Sequence, residues 1–286
     1  MEELFVMKKV GIAYHPLNAR VPELICKLCA LLQAHGLEYW KCSAWDISGL
    51  RTYFPDTDLI FTLGGDGTIL RVAQALDGEP IPIAGINLGQ LGFLTEIQPD
   101  ESSEKLLTLL SGKGWYDERI MLEAELQQTA DGQQQTLQFR ALNDIVMARG
   151  AIARIIEVTA SIDGAVVDTY KADGALVASA TGSTGYALAA GGPILNPKSA
   201  DLLLVPILPH VSLQHPLVLS PTSTITLKIS TTNPATLTID GHISIELLDE
   251  SSVTVRSSVT RTFFLRVNQP EYFYTSLSHK LKRTAL

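Results

Sequence analysis

The chain has 286 residues, of which 46% are hydrophobic and 18% charged, with a formal net charge of -8. That length carries two domains or one large one, and the composition excludes a disordered chain. The acidic balance excludes a nucleic-acid binder with a broad basic face, but it admits a phosphate-bearing small ligand held by local N–H groups and a few cations.

No apolar run approaches the roughly 20 residues of a membrane-spanning helix. The opening MEELFVMKKV lacks the basic-then-apolar pattern of a signal peptide. Three cysteines, Cys26, Cys29 and Cys42, form an odd and sparse set that fits a reducing compartment, so the expected location is cytoplasmic. Cys26 and Cys29 sit three apart in an apolar helical pattern, which predicts core packing on one buried face.

In chain order, KKVGIAYH reads as a strand. VPELICKLCALLQAHG reads as a helix, with Pro22 near its start and Gly36 at its stop. DLIFTL is the next strand, TILRVAQAL the next helix, and IPIAGINLG a strand that ends in glycine. This alternation predicts a parallel sheet covered by helices, an α/β domain over 1–117. Ligands of such sheets sit at the carboxyl ends of strands, where Gly64–Thr68 and Gly85–Gly89 fall.

From about residue 118 the period changes to short strands: MLEAELQQ, TLQFRALN, RIIEVTASI, AVVDTY, STITLKIS, TLTID, HISIEL and SVTVRS. Residues 118–267 are expected to be mostly β and sandwich-like, with one helical interruption near 183–191. The closing aromatic and basic segment, 268–286, is expected to return to the first domain.

Asp-Gly occurs six times and serves as an internal control. Asp131-Gly132 and Asp163-Gly164 separate strands and read as hairpin turns; Asp77-Gly78 reads as a helix cap. Asp66-Gly67 differs. Gly64-Gly65 precede it, a strand leads in and a helix leads out. Backbone N–H groups at that helix start favour an anion, and the glycines let a phosphate chain come close. The competing reading is an ordinary loop with an Asp N-cap. A dinucleotide fingerprint fails because it requires glycine at Leu70, and no Gly-Lys-Ser/Thr follows for a P-loop.

Three further constellations stand out. Asn143-Asp144 can grip a ribose diol or a purine edge, although an Asn-Asp turn is the plainer reading. YKADGALVASATGSTGYALAAGGPI, 170–194, supplies hydroxyls at Thr181, Ser183 and Thr184, backbone access at Gly182 and Gly185, and a flat ring at Tyr186. Asp240-Gly241-His242 lies between alternating strands, where a hairpin turn is the strong alternative. His210 and His215 lack a third partner at metal spacing, so no metal site is read.

Together, Gly64-Gly65-Asp66-Gly67-Thr68, Asn143-Asp144, ATGSTGYALAAGGPI and VPILPH resemble the NAD kinase family over roughly residues 55–245. Gly-Gly-Asp-Gly-Thr alone also occurs in diacylglycerol and sphingosine kinases and, in a related form, in phosphofructokinases; the long glycine-rich block distinguishes this family. The resemblance implies a Rossmann-like, phosphofructokinase-like first domain and a β-rich NAD-binding second domain. It implies transfer of a phosphoryl group from ATP, or another donor such as polyphosphate, to the adenosine ribose 2′-hydroxyl of NAD, giving NADP, with a divalent metal, Mg²⁺ by expectation.

Residue by residue, it implies Asp66 as the general base, with Gly67 beside the phosphates. Asn143 and Asp144 would hold the nicotinamide side of NAD. Asp173 and the run Thr184, Gly185, Tyr186, Ala187, Leu188 and Ala189 would line the NAD site. Arg71, Arg154, Lys171 and His242 are the remaining implied contacts. The family implies a homo-oligomer, with no nucleic acid or membrane as partner. Three departures are visible: Ala180 replaces a family proline, which predicts a looser loop; Gly185 replaces alanine; and His242 replaces glutamine. A lipid or sugar kinase with the same loop, or a non-catalytic dinucleotide-binding module, is the alternative. A dehydrogenase fits poorly because the fingerprint fails.

Overall fold

The computed structural model describes residues 7–89, 92–130, 132–150, 154–210 and 215–284, except the side chains of residues 279 and 282–284. The first elements in chain order are β1 (Lys9–Tyr14), α1 (Val21–Ala34), β2 (Glu38–Ser43), α2 (Ile47–Tyr53), β3 (Leu59–Gly64), α3 (Asp66–Leu76), β4 (Ile83–Asn87) and α4 (Ser102–Leu110). Then come β5 (Trp115–Ala130), β6 (Gln133–Ala141), β7 (Asp144–Arg149), β8 (Ile156–Ile162), β9 (Ala165–Ala172) and β10 (Gly174–Ala178). A short helix, α5 (Tyr186–Ala189), precedes β11 (Leu202–Ile207), β12 (Leu217–Leu219), β13 (Ile225–Ser230), β14 (Ala235–Ile239), β15 (Ile243–Leu247), β16 (Ser252–Arg266) and α6 (Tyr272–Thr284).

The chain divides into two compact units: residues up to Glu118 with those from Thr262 onward, and Arg119–Arg261. In the first, β2-β1-β3-β4 form a parallel sheet, and Phe264 of β16 pairs in parallel with Ile83. Every residue of β3 and β4 is buried, as expected of parallel strands covered on both faces. Helix α1 turns Val21, Leu24, Leu28 and Leu32 inward at helical spacing, and Gly36 leaves it at φ +66°. Cys26 falls off that face and is exposed, while Cys29 is half-buried; the expected shared buried face is therefore corrected. About 100° per residue places Cys26 some 200° round from Leu24. Burial pushes the Cys29 and Cys42 thiols up from their usual range. The closing segment does return to this unit.

The second unit is a β-sandwich. One sheet runs β12-β11-β10-β7-β14-β15, antiparallel throughout. The other contains β16-β13-β8-β9, with β5 and β6 as a hairpin. Met147, Val177 and Leu237 from the first meet Val158, Leu227 and Val253 from the second in one apolar core. Asp163-Gly164 turns the β8–β9 hairpin at φ 51° and 84°, as its composition predicts. Asp131 lies outside the described residues. Asp77 caps α3 in the left-handed region, its N–H reaching Ala73. The expected helix over 183–191 is much shorter: a 3₁₀ turn at Gly182–Thr184, then one turn of α5. The run offers Ala187 as the one buried side chain of α5, too little apolar face to hold a longer helix.

Candidate active site

In the first unit, β3 ends at Gly64 and α3 begins at Asp66. The N-cap is Gly65, in extended conformation, so Asp66 is a first-turn residue rather than the cap. A Cβ at Gly64 would strike the Thr68 hydroxyl, which fixes that glycine for packing. At Gly65 and Gly67 a Cβ would meet nothing within 4 Å. Those two glycines clear one side of the loop, where its N–H groups can receive an anion.

The Asp66 carboxylate is turned toward a segment just past β4. Its Oδ2 accepts the Phe93 N–H at 2.7 Å, and its Oδ1 accepts those of Leu94 (3.1 Å) and Thr95 (3.2 Å). A carboxylate has about four lone-pair sites, so three donors leave one, on Oδ2. A Cβ at Gly92 would collide with this carboxylate. The receiving segment is itself held. Arg266, buried, donates to the Leu94 carbonyl at 2.6 Å and to Asp117 Oδ2 at 3.1 Å, and the Val267 N–H reaches Glu96 at 2.6 Å. Lys280 of α6 lies 5.1 Å from the Phe93 ring centroid. Arg71 lies over the Trp45 ring at 4.4 Å.

In the second unit, Asn143-Asp144 enter β7, and Asp240 holds them. Its buried carboxylate accepts the N–H groups of Leu142 (2.8 Å), Asn143 (2.7 Å) and Asp144 (3.1 Å). Asp240-Gly241 is also the β14–β15 turn, at φ 49° and 69°, as the turn reading has it. Burial, then the charge of Asp240, pushes the Asp144 carboxyl up to about 7. Burial pushes Asp240 up to about 6, against the pull of its three N–H donors. The Asn143 Oδ1 is buried without a hydrogen-bond partner among the described residues. Buried acceptors are seldom left without a partner.

The 179–186 run folds onto this pair. Ser179 Oγ donates to the Leu142 carbonyl (2.5 Å) and accepts the Gly182 N–H (3.2 Å); Ser183 Oγ donates to Ala180 and accepts the Leu195 N–H. These bonds hold the loop where the resemblance places a proline. A Cβ at Gly182 would collide with the Asn143 carbonyl. At Gly185 it would sit 3.5 Å from Asn143 Nδ2 and 3.9 Å from Asp144 Oδ2, so Gly185 borders both side chains.

The other expected contacts divide. Asp173 is ion-paired with Arg149 at 2.7 Å, and Tyr186 lies close enough to Arg149 to act on its charge. Thr184 bonds back to the Thr181 carbonyl. Tyr186 and Ala189 are exposed, Leu188 half-buried, and Ala187 buried in an apolar cluster with Val146 and Leu176. His242 folds its Nδ1 onto the Asp240 carbonyl at 3.0 Å. Lys171 pairs across strands with Glu157 at 3.7 Å, and Arg154 is exposed; no described contact brings either to Asn143. Sequence reasoning missed Gly92–Thr95, Arg149, Ser179 and Asp240 as a clamp. A third glycine closely following Gly85 and Gly89 was the signal for the first. Among the described residues, no group of three or more His, Cys, Asp and Glu side chains is placed to hold a metal ion. No described helix is long and apolar enough to cross a membrane.

Residues 23–114 match the ATP-NAD kinase N-terminal domain family and residues 142–267 the ATP-NAD kinase C-terminal domain family. The chain is 47% identical to an NAD kinase of Dehalococcoides mccartyi (strain CBDB1) over 275 residues, 96% of each chain. The crystal structure of yeast NADH kinase complexed with NADH superposes with a TM-score of 0.83 at 25% identity, covering 96% of this chain and 88% of that one. An NAD kinase from Archaeoglobus fulgidus in complex with ATP gives a TM-score of 0.77 at 26% identity, covering 96% and 98%. On both domain matches and near-full-length identity, the chain belongs to the NAD kinase family.

Proposed function

We propose that Asp66 is the general base in the phosphorylation of NAD. As a member of its family, the chain is an enzyme that converts NAD to NADP, with ATP as phosphoryl donor. The observation that carries the Asp66 assignment is its clamped carboxylate, with one lone pair left on Oδ2 beside a glycine-cleared loop. A secondary hydroxyl is a poor nucleophile, and a positioned base is worth about 10² to 10⁴-fold. As the 2′-oxygen bonds to the terminal phosphorus, its proton passes to Asp66 Oδ2. The bond from phosphorus to the donor's bridging oxygen breaks, and that oxygen keeps the electron pair. The backbone N–H groups of Gly65, Asp66 and Gly67 donate to phosphate oxygens, while that of Thr68 closes the turn onto the Gly65 carbonyl at 3.0 Å.

A divalent ion would be held through the donor phosphate oxygens and water rather than by Asp66, whose one open lone pair receives the proton. It would offset the negative charge of the donor phosphates. Asn143 and Asp144 are proposed to hold the nicotinamide-side ribose, supported by the orphan Asn143 Oδ1 and by the border both side chains share with Gly185. Asp173, Thr184–Ala189 and His242 are proposed to line the NAD site, and the packing of Gly185 against Asn143 supports this. For Arg154, Lys171 and a homo-oligomeric state, the family resemblance is the support. Three free thiols support a cytoplasmic location.

The test is NADP formation by the purified protein with Mg²⁺, NAD and a panel of ATP, other nucleoside triphosphates and polyphosphate. The expected product carries its new phosphate on the adenosine ribose 2′-oxygen. Phosphorylation of a lipid or sugar with none of NAD would overturn the reading.

A further inference from the structure

We propose that Arg149 is a positioning residue of the NAD site: it fixes the direction of the Asp173 carboxylate and offsets its charge, so that Asp173 can receive a donor group of NAD. The proposal rests on the reading that Asp173 lines that site; it does not involve Asp66.

Asp173-Gly174 differs from the Asp-Gly turns. Neither residue has a positive φ, whereas Asp163-Gly164 and Asp240-Gly241 both do. Asp173 is instead the step from β9, in one sheet of the sandwich, to β10, in the other. β10 lies between β7 and β11. A Cβ at Gly174 would collide with the Met147 carbonyl and lie 2.9 Å from the Ala148 Cα, so glycine is what lets β10 come this close to β7. The Arg149 N–H, at the end of β7, donates to the Asp173 carbonyl at 2.9 Å. The Asp173 N–H donates to the carbonyl of Ile207, in β11, at 3.0 Å. The Asp173 backbone is therefore held from both flanking strands, with Arg149 beside it.

The side chains complete the hold. Arg149 Nε donates to Asp173 Oδ1 at 2.7 Å, and the two side chains are 30% and 27% exposed. A carboxylate has about four lone-pair sites, so this bond fixes its direction and leaves capacity for a donor group of a ligand. Tyr186, the first residue of α5, lies close enough to Arg149 to act on its charge. Its neighbour Gly185 borders the Asn143 and Asp144 side chains. Arg149 thus links Asp173 to the start of the run that carries the other proposed contacts. Its charge matters as well. NAD carries a diphosphate, and the chain has a net charge of -8. An uncompensated Asp173 would repel that ligand while binding its donor group. A guanidinium stays protonated in proteins, so the offset holds at every working pH.

The experiment titrates NAD by calorimetry into the wild-type protein and into Arg149→Met, Arg149→Gln, Asp173→Asn and the Arg149→Met, Asp173→Asn double variant, with KM and kcat measured for each. Arg149→Met is expected to weaken NAD about ten-fold, roughly the loss of one charge-assisted hydrogen bond. KM for NAD should rise by the same factor while kcat stays within about two-fold, as for a contact made equally before and during the reaction. Arg149→Gln should behave alike, and it carries the test where the methionine variant does not fold. In the double variant the Arg149 change should add no more than about two-fold to the loss from Asp173→Asn, because the carboxylate that it positions is gone. If the folded Arg149 variants bind NAD within about two-fold of wild type, or if the two losses add in full, the proposal is overturned. Wild-type binding by Asp173→Asn overturns it together with the reading of Asp173 as a site residue; a loss from Asp173→Asn without one from the Arg149 variants overturns the positioning role alone. The titrations need no turnover, so failure of the general-base reading is scored separately.

Discussion

At the residue scale, Asp66 and Asp144 are two carboxylates placed in opposite ways. Asp66 is fixed by three N–H donors from Phe93–Thr95. Gly92→Ala tests that clamp: the added Cβ must displace the Asp66 carboxylate or its receiving segment. We expect kcat to fall by about 10²-fold, the low end of a lost general base, while overpacking costs about 1 to 3 kcal/mol of stability. Steady-state kinetics alongside urea unfolding measures both. Asp144 instead sits beside Asp240 with no described side-chain bond, and burial raises both carboxyls, to about 7 and about 6. A raised carboxyl favours the protonated folded state. Its stabilisation is full below the unfolded value near 3.8 and is lost as pH rises through about 6 to 7. Asp144→Asn removes one of these titrations. Its Tm relative to wild type is expected to rise between pH 5 and pH 8, and a difference that stays constant over that range contradicts the assignment.

At the element scale, the segment after β4 acts as a receiver for Asp66 because β16 and α6 brace it. Arg266 and Asp117 are both buried, and Arg266 also bonds the Leu94 carbonyl. Arg266→Met removes one side of a buried ion pair, which costs about 3 to 5 kcal/mol. Denaturant midpoints should show that loss, and kcat should fall further than KM for NAD changes, since the damage reaches Asp66 through Leu94. Much of this level was legible beforehand. α1, β3, α3 and β4 were readable because continuous apolar runs and 3.6-residue spacing are local signals. β7, β10 and β11 were not, since DIVMAR, GALVA and LLLVPI are short runs whose strand character comes from antiparallel neighbours far along the chain. The short α5 was overread because small residues suggest a helix without specifying how much of it can be buried.

At the scale of the whole molecule, the chain completes its first unit only with its last residues, from Thr262 on. The aromatic and basic closing segment signalled that return, and the resemblance of the glycine-rich motifs to the NAD kinase family was visible in the sequence. Invisible were the partners of the key carboxylates. Asp66 binds residues 27 to 29 positions away, and Asp240 binds residues 96 to 98 away, separations that no local pattern encodes. The net charge of -8 likewise says nothing of local detail, such as Arg71 lying over the Trp45 ring.

The most direct test of the account is Asp66→Asn, assayed for NADP formation and, separately, for NAD binding and melting temperature. The account predicts a folded protein that binds NAD within a few-fold of wild type and turns over about 10² to 10⁴ times more slowly. Turnover close to the wild-type rate would contradict it.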